Sequence, residues 1–522
     1  MGLWHVNAPR SPATDWMRPT ATRTCLVLAS CAIVAASLAL DGQTSRPRTL
    51  QQPVAPPAID LGLRRQAPEP RQVADQRQGA TDRVSGKLIA RFDPGLGARG
   101  RQQMAAAVGA TRMTRPPHAD FHILTVDPDA DVETLAASLA VRPGVAYAQA
   151  AYVVHPYFRP NDPLFDRQWN LHVLDMERAW DVNRGATSEI IAAVLDSGVA
   201  FRTAIFRFTA GPFTDEGQRY PALGTIDVPF AAAPDLDSPD RFVSPRDLIW
   251  DDDTPIDMDG HGTHVTGTLG QVTDNGVGVA GMAFNVRIMP VKVVSGMWDE
   301  IFGAPNVGTD DVVARGIRYA VDNGARILTM SLGRTGPPAP VVDAALRYAV
   351  AQGAFVAIAA GNAFALDNPV EVIAALAEDI EGVMAVGAVG RDLERASYSG
   401  VHSYVEIVAP GGDLGQGGFD GLILQQTYDE RFALTYLDPP TRFGPPRFDV
   451  FVFAGQQGTS MATPHVAGLA ALLMQQGITS PAAIEAAISR FARDLGDPGR
   501  DNETGHGLID PLATLRGLGL AR

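Results

Sequence analysis

The stretch Ile190–Val199, IIAAVLDSGV, places an aspartate directly after an apolar run. An apolar run of this length, with no polar alternation, predicts a strand that is buried on both faces. Such strands form parallel sheets that helices cover on both sides. The stretch therefore predicts an α/β fold with Asp196 at the carboxyl end of a buried strand.

Further segments of the chain repeat this pattern. Apolar runs predict buried strands at 286–294, 326–330, 355–360 and 383–389. Amphipathic segments with helix-capping residues predict helices at 309–323, 340–352 and 480–492. Strands that alternate with helices indicate a doubly wound, mostly parallel sheet.

Asp196 occupies a position at which α/β folds build their sites, because ligands bind beyond the carboxyl ends of parallel strands. The sequence Asp-Ser-Gly at 196–198 is also compatible with an ordinary turn. This motif alone does not establish a function.

The segment 259–267, DGHGTHVTG, contains two histidines and follows an acidic run, which raises the question of a metal site. The zinc-protease pattern His-Glu-x-x-His is absent, and a calcium loop would need a glutamate at its twelfth position. Glycines on both sides of His261 instead allow backbone to approach its ring closely. His264 is predicted to be a packed helix residue.

The segment 458–468, GTSMATPHVAG, predicts a helix that begins near Thr459, because proline is tolerated in a first turn. Ser460 at the start of this helix is either a cap or a nucleophile. The small residues around it favour the close approach of a substrate backbone. A nucleophilic serine needs a base, and that base needs a carboxylate to orient it.

Asp196-Ser-Gly, His261 in GHGTHVTGT and Ser460 in GTSMATPHVAG, in that order, resemble the three signatures of the subtilisin-like serine peptidases, or subtilases. The resemblance covers about 161 to 515 and implies a subtilisin-like fold and endopeptidase activity. It implies that Ser460 is the nucleophile and that His261 is the general base and then the general acid. Asp196 would orient and stabilise the histidine.

The resemblance extends to other segments. Asn362, in the sequence AAGN, would donate to the oxyanion together with the backbone N–H of Ser460. The residues that would bind substrate are Ser331, Leu332, Gly333, Ala360 and Gly361.

The loop 273–281 resembles the calcium loop of the family, and an ordinary glycine-rich loop is the alternative. Its implied calcium ligands are Thr273, Asn275, Val277 and Val279.

Residues 84–155 predict a small α+β unit of ferredoxin-like order β-α-β-β-α-β. Its strands are expected at 88–92, near Thr111, at 121–126 and at 145–154, and its helices at 101–108 and 132–140. The unit resembles the inhibitory prodomain of many subtilases. This implies a zymogen that cuts itself between Val153 and Pro160. The peptidase domain is expected at 160–522, with no further domain after it.

The N-terminal segment 1–40 carries an apolar run after Arg18 and Arg23 and predicts a secretory signal peptide. An uncleaved membrane anchor, a lipidated Cys31 and a translation start at Met17 are alternatives. Residues 41–83 are rich in Pro, Gln and Arg and predict a linker. Both cysteines lie in the apolar run, so the rest of the chain forms no disulfide.

The net charge of −15 argues against nucleic acid or an anionic membrane as the main partner and is compatible with calcium. We expect a monomer, secreted to the extracellular space or periplasm, that acts on polypeptides. We expect no membrane association after the signal is removed, and inhibition by the chain's own prodomain.

Two segments, 201–257 and 412–453, look longer than in a minimal subtilase, and no residue is assigned to the primary specificity pocket. An inactive family member that acts as a binding protein is disfavoured, because all three triad residues are present. The sequence does not separate a broad scavenging peptidase from a processing enzyme dedicated to one partner protein.

Overall fold

The structure is a computed structural model that describes residues 83–152, 158–215, 218–238, 240–433 and 444–517. The predicted signal peptide, all but the last residue of the predicted linker, and residues 153–157 of the self-cleavage window lie outside the described residues. Among the helices that are described, none combines the length and the apolar character needed to cross a bilayer.

The first unit is a four-stranded antiparallel sheet with two helices. Its elements are β1 (Arg83–Phe92), α1 (Ala98–Ala106), β2 (Arg112–Thr114), β3 (His122–Thr125), α2 (Val132–Ala140) and β4 (Val145–Tyr152). The strand order is β2-β3-β1-β4. Leu88, Leu124 and Leu139 are fully buried in a core of its own. The predicted element order is confirmed, although α1 begins three residues before its predicted start.

The second unit contains the remaining helices and strands. Its elements up to the middle of the chain are α3 (Trp169–Val173), α4 (Met176–Val182), β5 (Ile191–Asp196), β6 (Ala204–Ala210), β7 (Phe213–Asp215), β8 (Gln218–Tyr220), β9 (Gly224–Phe230), β10 (Arg246–Asp247), α5 (His261–Gly270), β11 (Arg287–Lys292) and α6 (Met297–Phe302). Its later elements are α7 (Asp310–Asp322), β12 (Ile327–Met330), α8 (Pro340–Ala351), β13 (Phe355–Ala359), β14 (Val383–Val389), β15 (Ile407–Pro410), β16 (Ile423–Tyr428), α9 (Glu430–Ala433), β17 (Phe451–Gln456), α10 (Thr459–Gln475), α11 (Pro481–Phe491) and α12 (Pro511–Gly517).

The second unit is built on a parallel sheet of seven strands in the order β10-β11-β5-β12-β13-β14-β15. One face packs against a core that includes residues of α5, α10 and α11, and the other against a core that includes α7 and α8. The five strands predicted as buried apolar runs are confirmed. The edge strands β10 and β15 are additional. The doubly wound, mostly parallel architecture preceded by a ferredoxin-like unit is confirmed.

The strand order determines which chain segments meet at one edge. Strands β5, β12 and β13 are neighbours and parallel, so their carboxyl ends lie side by side. Asp196 is the last residue of β5, Ser331 follows β12 and Ala360 follows β13. Helix α10 packs against β12, β13, β14 and β15 and against α5. The three sequence motifs therefore approach one edge of the sheet.

The two long segments left unassigned by the sequence share one aromatic cluster. The β6–β9 hairpin comes from the first segment, and Phe448 from the second segment stacks on Phe230 with ring centroids 4.9 Å apart. Strand β16 pairs with β17, which ends just before α10. The side-chain hydroxyl of Thr427 on β16 donates to the carbonyl of Gly260 at 2.9 Å. The two segments therefore form one structure that supports the start of α5.

A buried lysine stiffens the same edge. Lys292, the last residue of β11, stands in register with Asp196 on β5. Its ammonium group contacts the Asp299 carboxylate at 2.8 Å and donates to the carbonyl of Ile256 at 2.9 Å, and both side chains are fully buried. Because a buried charge needs a partner, Asp299 of α6 holds Lys292 in place, and the hydrogen bond to Ile256 then ties β11 to the loop before α5.

Candidate active site

Asp196 and His261 are in direct contact. The Nδ1 atom of His261 lies 2.7 Å from Oδ1 of Asp196, whose side chain is 3% exposed. Asp196 ends β5 and His261 begins α5, so two rigid elements fix this distance. Gly262 makes the approach possible, because a Cβ atom there would collide with the carbonyl of Gly198 and lie 3.2 Å from Oδ1 of Asp196.

A second buried carboxylate, Asp257, holds the start of α5. Its Oδ1 accepts from the Gly260 N–H at 2.9 Å and from the Ser197 hydroxyl at 3.0 Å, and its Oδ2 accepts from the Thr263 N–H at 3.0 Å. The Ser197 hydroxyl in turn accepts from the Gly262 N–H at 2.9 Å. Asp257 therefore joins the corner after β5 to the helix that carries His261.

The sequence motifs do not indicate this role of Asp257, because the acidic run 251–260 raises the question of a metal site instead. A signal was present, because an aspartate shortly before a helix is a typical acceptor for the free N–H groups of its first turn. Its negative charge also complements the positive end of the helix dipole.

The electrostatics of His261 favour its protonated form. Burial lowers the pKa of the imidazole, but the carboxylates of Asp196, Asp259 and Asp257 outweigh this effect and raise the pKa from 6.5 to about 9. The side chain is 27% exposed, so substrate and solvent can reach it. The neighbouring carboxylates therefore stabilise a proton on the His261 ring.

Ser460 is the second residue of α10. Its hydroxyl makes a long hydrogen bond of 3.4 Å to the carbonyl of Ser331, and the hydroxyl of Ser331 donates to the carbonyl of Ser460 at 2.8 Å. Within the described residues no hydrogen bond links Ser460 to His261. Hydrogen bonds of this kind are often long or absent without substrate. The structure therefore fixes the backbone of Ser460 and leaves its hydroxyl weakly held.

The orientation of the Asn362 amide follows from its neighbours. Its Oδ1 faces the backbone N–H of Thr459 at 2.8 Å and the Thr459 hydroxyl at 3.0 Å. A backbone N–H can only donate, so the facing atom must be the oxygen. The Nδ2 group lies on the side of Gly458, where a Cβ atom would be 3.4 Å from it. Nδ2 therefore remains a donor at the start of α10.

The other residues assigned to substrate binding flank the same point. Gly361 donates its N–H to the Thr459 hydroxyl at 3.2 Å, and Leu332 and Ala360 are buried in the core beneath.

His264 is fully buried, and its Nε2 lies 3.0 Å from the carbonyl of Ile423. Burial lowers the pKa of His264 to about 3, which confirms that it is a packed, neutral helix residue.

The candidate calcium loop packs against two carboxylates that the sequence interpretation did not include. Asn275 donates its Nδ2 to Oδ1 of Asp235 at 2.8 Å, and Asp162 accepts from the N–H of Asp274 at 2.7 Å. The Oδ1 atom of Asp162 is buried and finds no hydrogen-bond partner in the part of the chain that the structure describes. Burial raises the pKa of Asp162, and it raises that of Asp235 to about 6.

Both oxygens of Asp235 accept hydrogen bonds, from Asn275 and from the N–H of Val279 at 3.1 Å, so the unpartnered Oδ1 of Asp162 is the feature that points to a ligand. Carboxylate and amide oxygens are the ligands that a hard cation such as Ca²⁺ prefers. Asp162 and Asp235 lie far from the loop in sequence, which is why the loop motif alone did not indicate them. In the described part of the chain, no three His, Cys, Asp or Glu side chains converge as a metal centre, so any cation here would also need amide and carbonyl oxygens.

Two family profiles match the chain. The sequence profile of the subtilase family matches residues 187–507, and that of the fervidolysin N-terminal prodomain matches residues 69–150. The chain is 30% identical over 399 residues to the thermophilic serine proteinase of Bacillus sp. (strain AK1), covering 76% of this chain and 79% of that protein.

Two further similarities extend over nearly whole proteins. The chain is 30% identical over 343 residues to thermitase of Thermoactinomyces vulgaris, covering 66% of this chain and 94% of thermitase. Among solved structures, a protease from Pseudoalteromonas arctica PAMC 21717 superimposes with a TM-score of 0.51 at 27% identity, covering 69% of this chain and 99% of that one.

We predict that His261 titrates above 6.5 and that the Asp196 carboxylate is responsible. In a Ser460→Ala background, NMR of ¹³C-labelled histidines should show one ring that stays protonated beyond pH 6.5. Adding Asp196→Asn removes the first of the charges that raise the pKa, so the midpoint should fall towards or below 6.5. Loss of the resonance in His261→Gln assigns it.

The buried ring of His264 is the internal control, since it should not titrate between pH 5 and pH 9. An unchanged midpoint for His261 after Asp196→Asn would contradict the assigned pairing.

Proposed function

The chain belongs to the subtilase family of serine proteases, and from this we propose that it is a secreted endopeptidase made as a self-processing zymogen. In this proposal the triad is Asp196, His261 and Ser460. The observation that carries it is the 2.7 Å contact between Asp196 and His261 at the sheet edge to which α10 brings Ser460.

The chemistry follows from these positions. His261 Nε2 removes the proton of the Ser460 hydroxyl as Oγ attacks the substrate carbonyl carbon. The carbonyl oxygen becomes an oxyanion that accepts from the Ser460 backbone N–H and from Nδ2 of Asn362. The imidazolium of His261, stabilised by Asp196, then protonates the leaving amine as the peptide bond breaks. Water repeats the sequence on the acyl-enzyme and frees the carboxylic acid product.

Substrate backbone is proposed to add along Ser331–Gly333 as an extended strand. The mutual hydrogen bonds between Ser331 and Ser460 support this, because they hold the segment after β12 against the nucleophile.

The export of the enzyme is proposed from the apolar segment within 1–40, which lies outside the described residues.

We predict that Ser460→Ala abolishes peptide hydrolysis and leaves the precursor unprocessed. Asn362→Ala should lower kcat by roughly 10²–10³-fold with little change in KM, since the donor acts mainly on the oxyanion. Steady-state kinetics on a quenched-fluorescence peptide measure both effects. Asn323→Ala, an exposed asparagine at the end of α7, is the matched control and should change neither constant.

Residual hydrolysis by pure Ser460→Ala would contradict the nucleophile. A rise in KM alone for Asn362→Ala would show that this asparagine positions substrate or structure and does not stabilise the oxyanion.

We also propose a structural calcium ion at the loop 273–281. The oxygens that would hold it are the side chains of Asp162, Asp235 and Asn275 and the carbonyls of Thr273, Val277 and Val279. The orphaned Oδ1 of Asp162 and the raised pKa of Asp235 support this set. Bound there, the ion would neutralise buried carboxylates and secure the beginning of the peptidase unit, at Asp162, to α5 and its following loop.

We predict that calcium raises the melting temperature of the mature enzyme and that a chelator lowers it. An ion that binds the native state alone adds about 2.7 kcal/mol at 100 times its Kd. Calorimetry in the Ser460→Ala background avoids self-digestion. Asp235→Asn should remove most of the calcium-dependent shift, whereas Asp497→Asn, at an exposed loop position, should preserve it. An identical melting curve for metal-free and calcium-loaded protein would remove the ion from this account.

The first unit is proposed to be an inhibitor of the second. It has its own core, and it matches the prodomain profile over most of its length. Its last strand, β4, leads directly into the proposed self-cleavage window between Val153 and Pro160. After the cut, the tail would remain in the substrate cleft as a bound product, held by strand pairing along Ser331–Gly333.

We predict that residues 84–155, expressed separately, inhibit the mature enzyme in trans and speed its refolding, because a non-local parallel sheet folds slowly. Inhibition kinetics and recovery of activity after dilution from denaturant measure the two effects. Leu124→Asp, which places a charge in the unit's core, should abolish both. If the intact unit has neither effect, it is not an inhibitor or folding aid.

A further inference from the structure

The side chain of Glu371 lies between the two segments proposed to bind substrate. A Cβ atom on Gly361 would collide with Cγ of Glu371, and one on Gly333 would lie 2.8 Å from its Oε2. Gly361 follows β13 and Gly333 follows β12. Both segments therefore lack a side chain where this glutamate passes between them.

The backbone around Glu371 is fastened to both segments. Its N–H donates to the Tyr404 hydroxyl at 3.1 Å, and that hydroxyl donates to the carbonyl of Ala360 at 3.4 Å. The next residue, Val372, donates its N–H to the carbonyl of Arg334 at 2.9 Å. The position of the carboxylate is thus set by the same two segments that converge on Ser460.

The carboxylate has no partner that explains it. Its Oε2 is buried and makes no hydrogen bond, and among the described residues no cation pairs with it. Arg334, close in the fold, pairs with Asp310, with Nε 2.7 Å from Oδ1. Burial raises the pKa of Glu371, as expected for a carboxylate that lacks a counter-charge. Burying a carboxylate without a partner destabilises the folded chain. A cationic group of a bound ligand would supply the missing partner and explain why the carboxylate lies there.

Resting on the proposed function, we propose that Glu371 selects substrates with arginine or lysine at the residue whose carbonyl is cleaved. That carbonyl must lie between Ser460 and Nδ2 of Asn362, with its strand along Ser331–Gly333. The attached side chain then extends between the two segments towards Glu371. The apolar part of an arginine or lysine side chain can pack against the two segments. Its charged end then reaches the recessed carboxylate oxygen of Glu371.

This preference concerns peptides supplied in trans. The window 153–160 contains a single Arg or Lys, Arg159, and proline follows it. Self-cleavage is intramolecular, and its high effective concentration reduces its dependence on a preferred side chain. The cut within the zymogen and the selectivity of the mature enzyme are therefore separate questions.

The test uses mature enzyme and peptides that differ only at the cleaved position, which carries Arg, Lys, Gln, Met, Phe or Glu. We expect kcat/KM for Arg and Lys to exceed that for Gln by about 100-fold, a ratio typical of a paired buried charge. Glu371→Gln preserves shape and removes the charge, so the Arg-to-Gln ratio should fall to near one. Glu378→Gln, an exposed residue of the same chain segment, should leave the ratio unchanged.

Equal hydrolysis of the Arg, Gln and Met peptides by the unmodified enzyme would overturn this inference without any variant. A ratio that survives Glu371→Gln would overturn it as well. Either result would leave the proposed function intact, since peptides are still cleaved. If no peptide and no denatured casein is hydrolysed at all, it is the proposed function that fails.

Discussion

The proposed active site depends on the contact between the buried carboxylate of Asp196, at the end of β5, and the ring of His261, at the start of α5. Asp196 is nearly inaccessible to water at the end of β5, yet among the described residues only Ser197 and His261 bond to it, both at Oδ1. The burial of the Asp196 carboxylate is tolerated because the His261 ring is held next to it. Asp257, Ser197 and Thr263 hold the first turn of α5, and Lys292 holds the preceding loop through its hydrogen bond to the carbonyl of Ile256.

The same constraint explains why the proposed chemistry needs so large a scaffold. The sheet aligns the ends of β5, β12 and β13, and α10 packs against β12 and β13 with its first turn bonded to the segment after β12. The proposed oxyanion donor, Asn362, is oriented by the helix that carries the proposed nucleophile, because Thr459 fixes its amide. Each proposed catalytic group is thus positioned by a neighbour on a different strand or helix, which leaves little freedom for rearrangement.

Much of this arrangement could be predicted from the sequence, because the signals are local. The run IIAAVL predicts its own burial, and the glycines around His261 predict close backbone contact. What could not be predicted depends on contacts between distant segments. Glu371, Asp162 and Asp235 carry no motif, and their importance appears only when the fold brings them beside Gly333 or Asn275. The two long segments likewise show only scattered aromatic residues until Phe230 and Phe448 stack.

Covalent labelling shows whether Ser460 is a nucleophile that His261 activates. Mature enzyme is treated with a fluorophosphonate, digested and mapped by mass spectrometry, with His261→Ala treated in parallel. We expect one adduct, on Ser460, that is nearly absent in the variant because the hydroxyl has lost its base. An adduct on another serine, or equal labelling of Ser460 without the histidine, would contradict it.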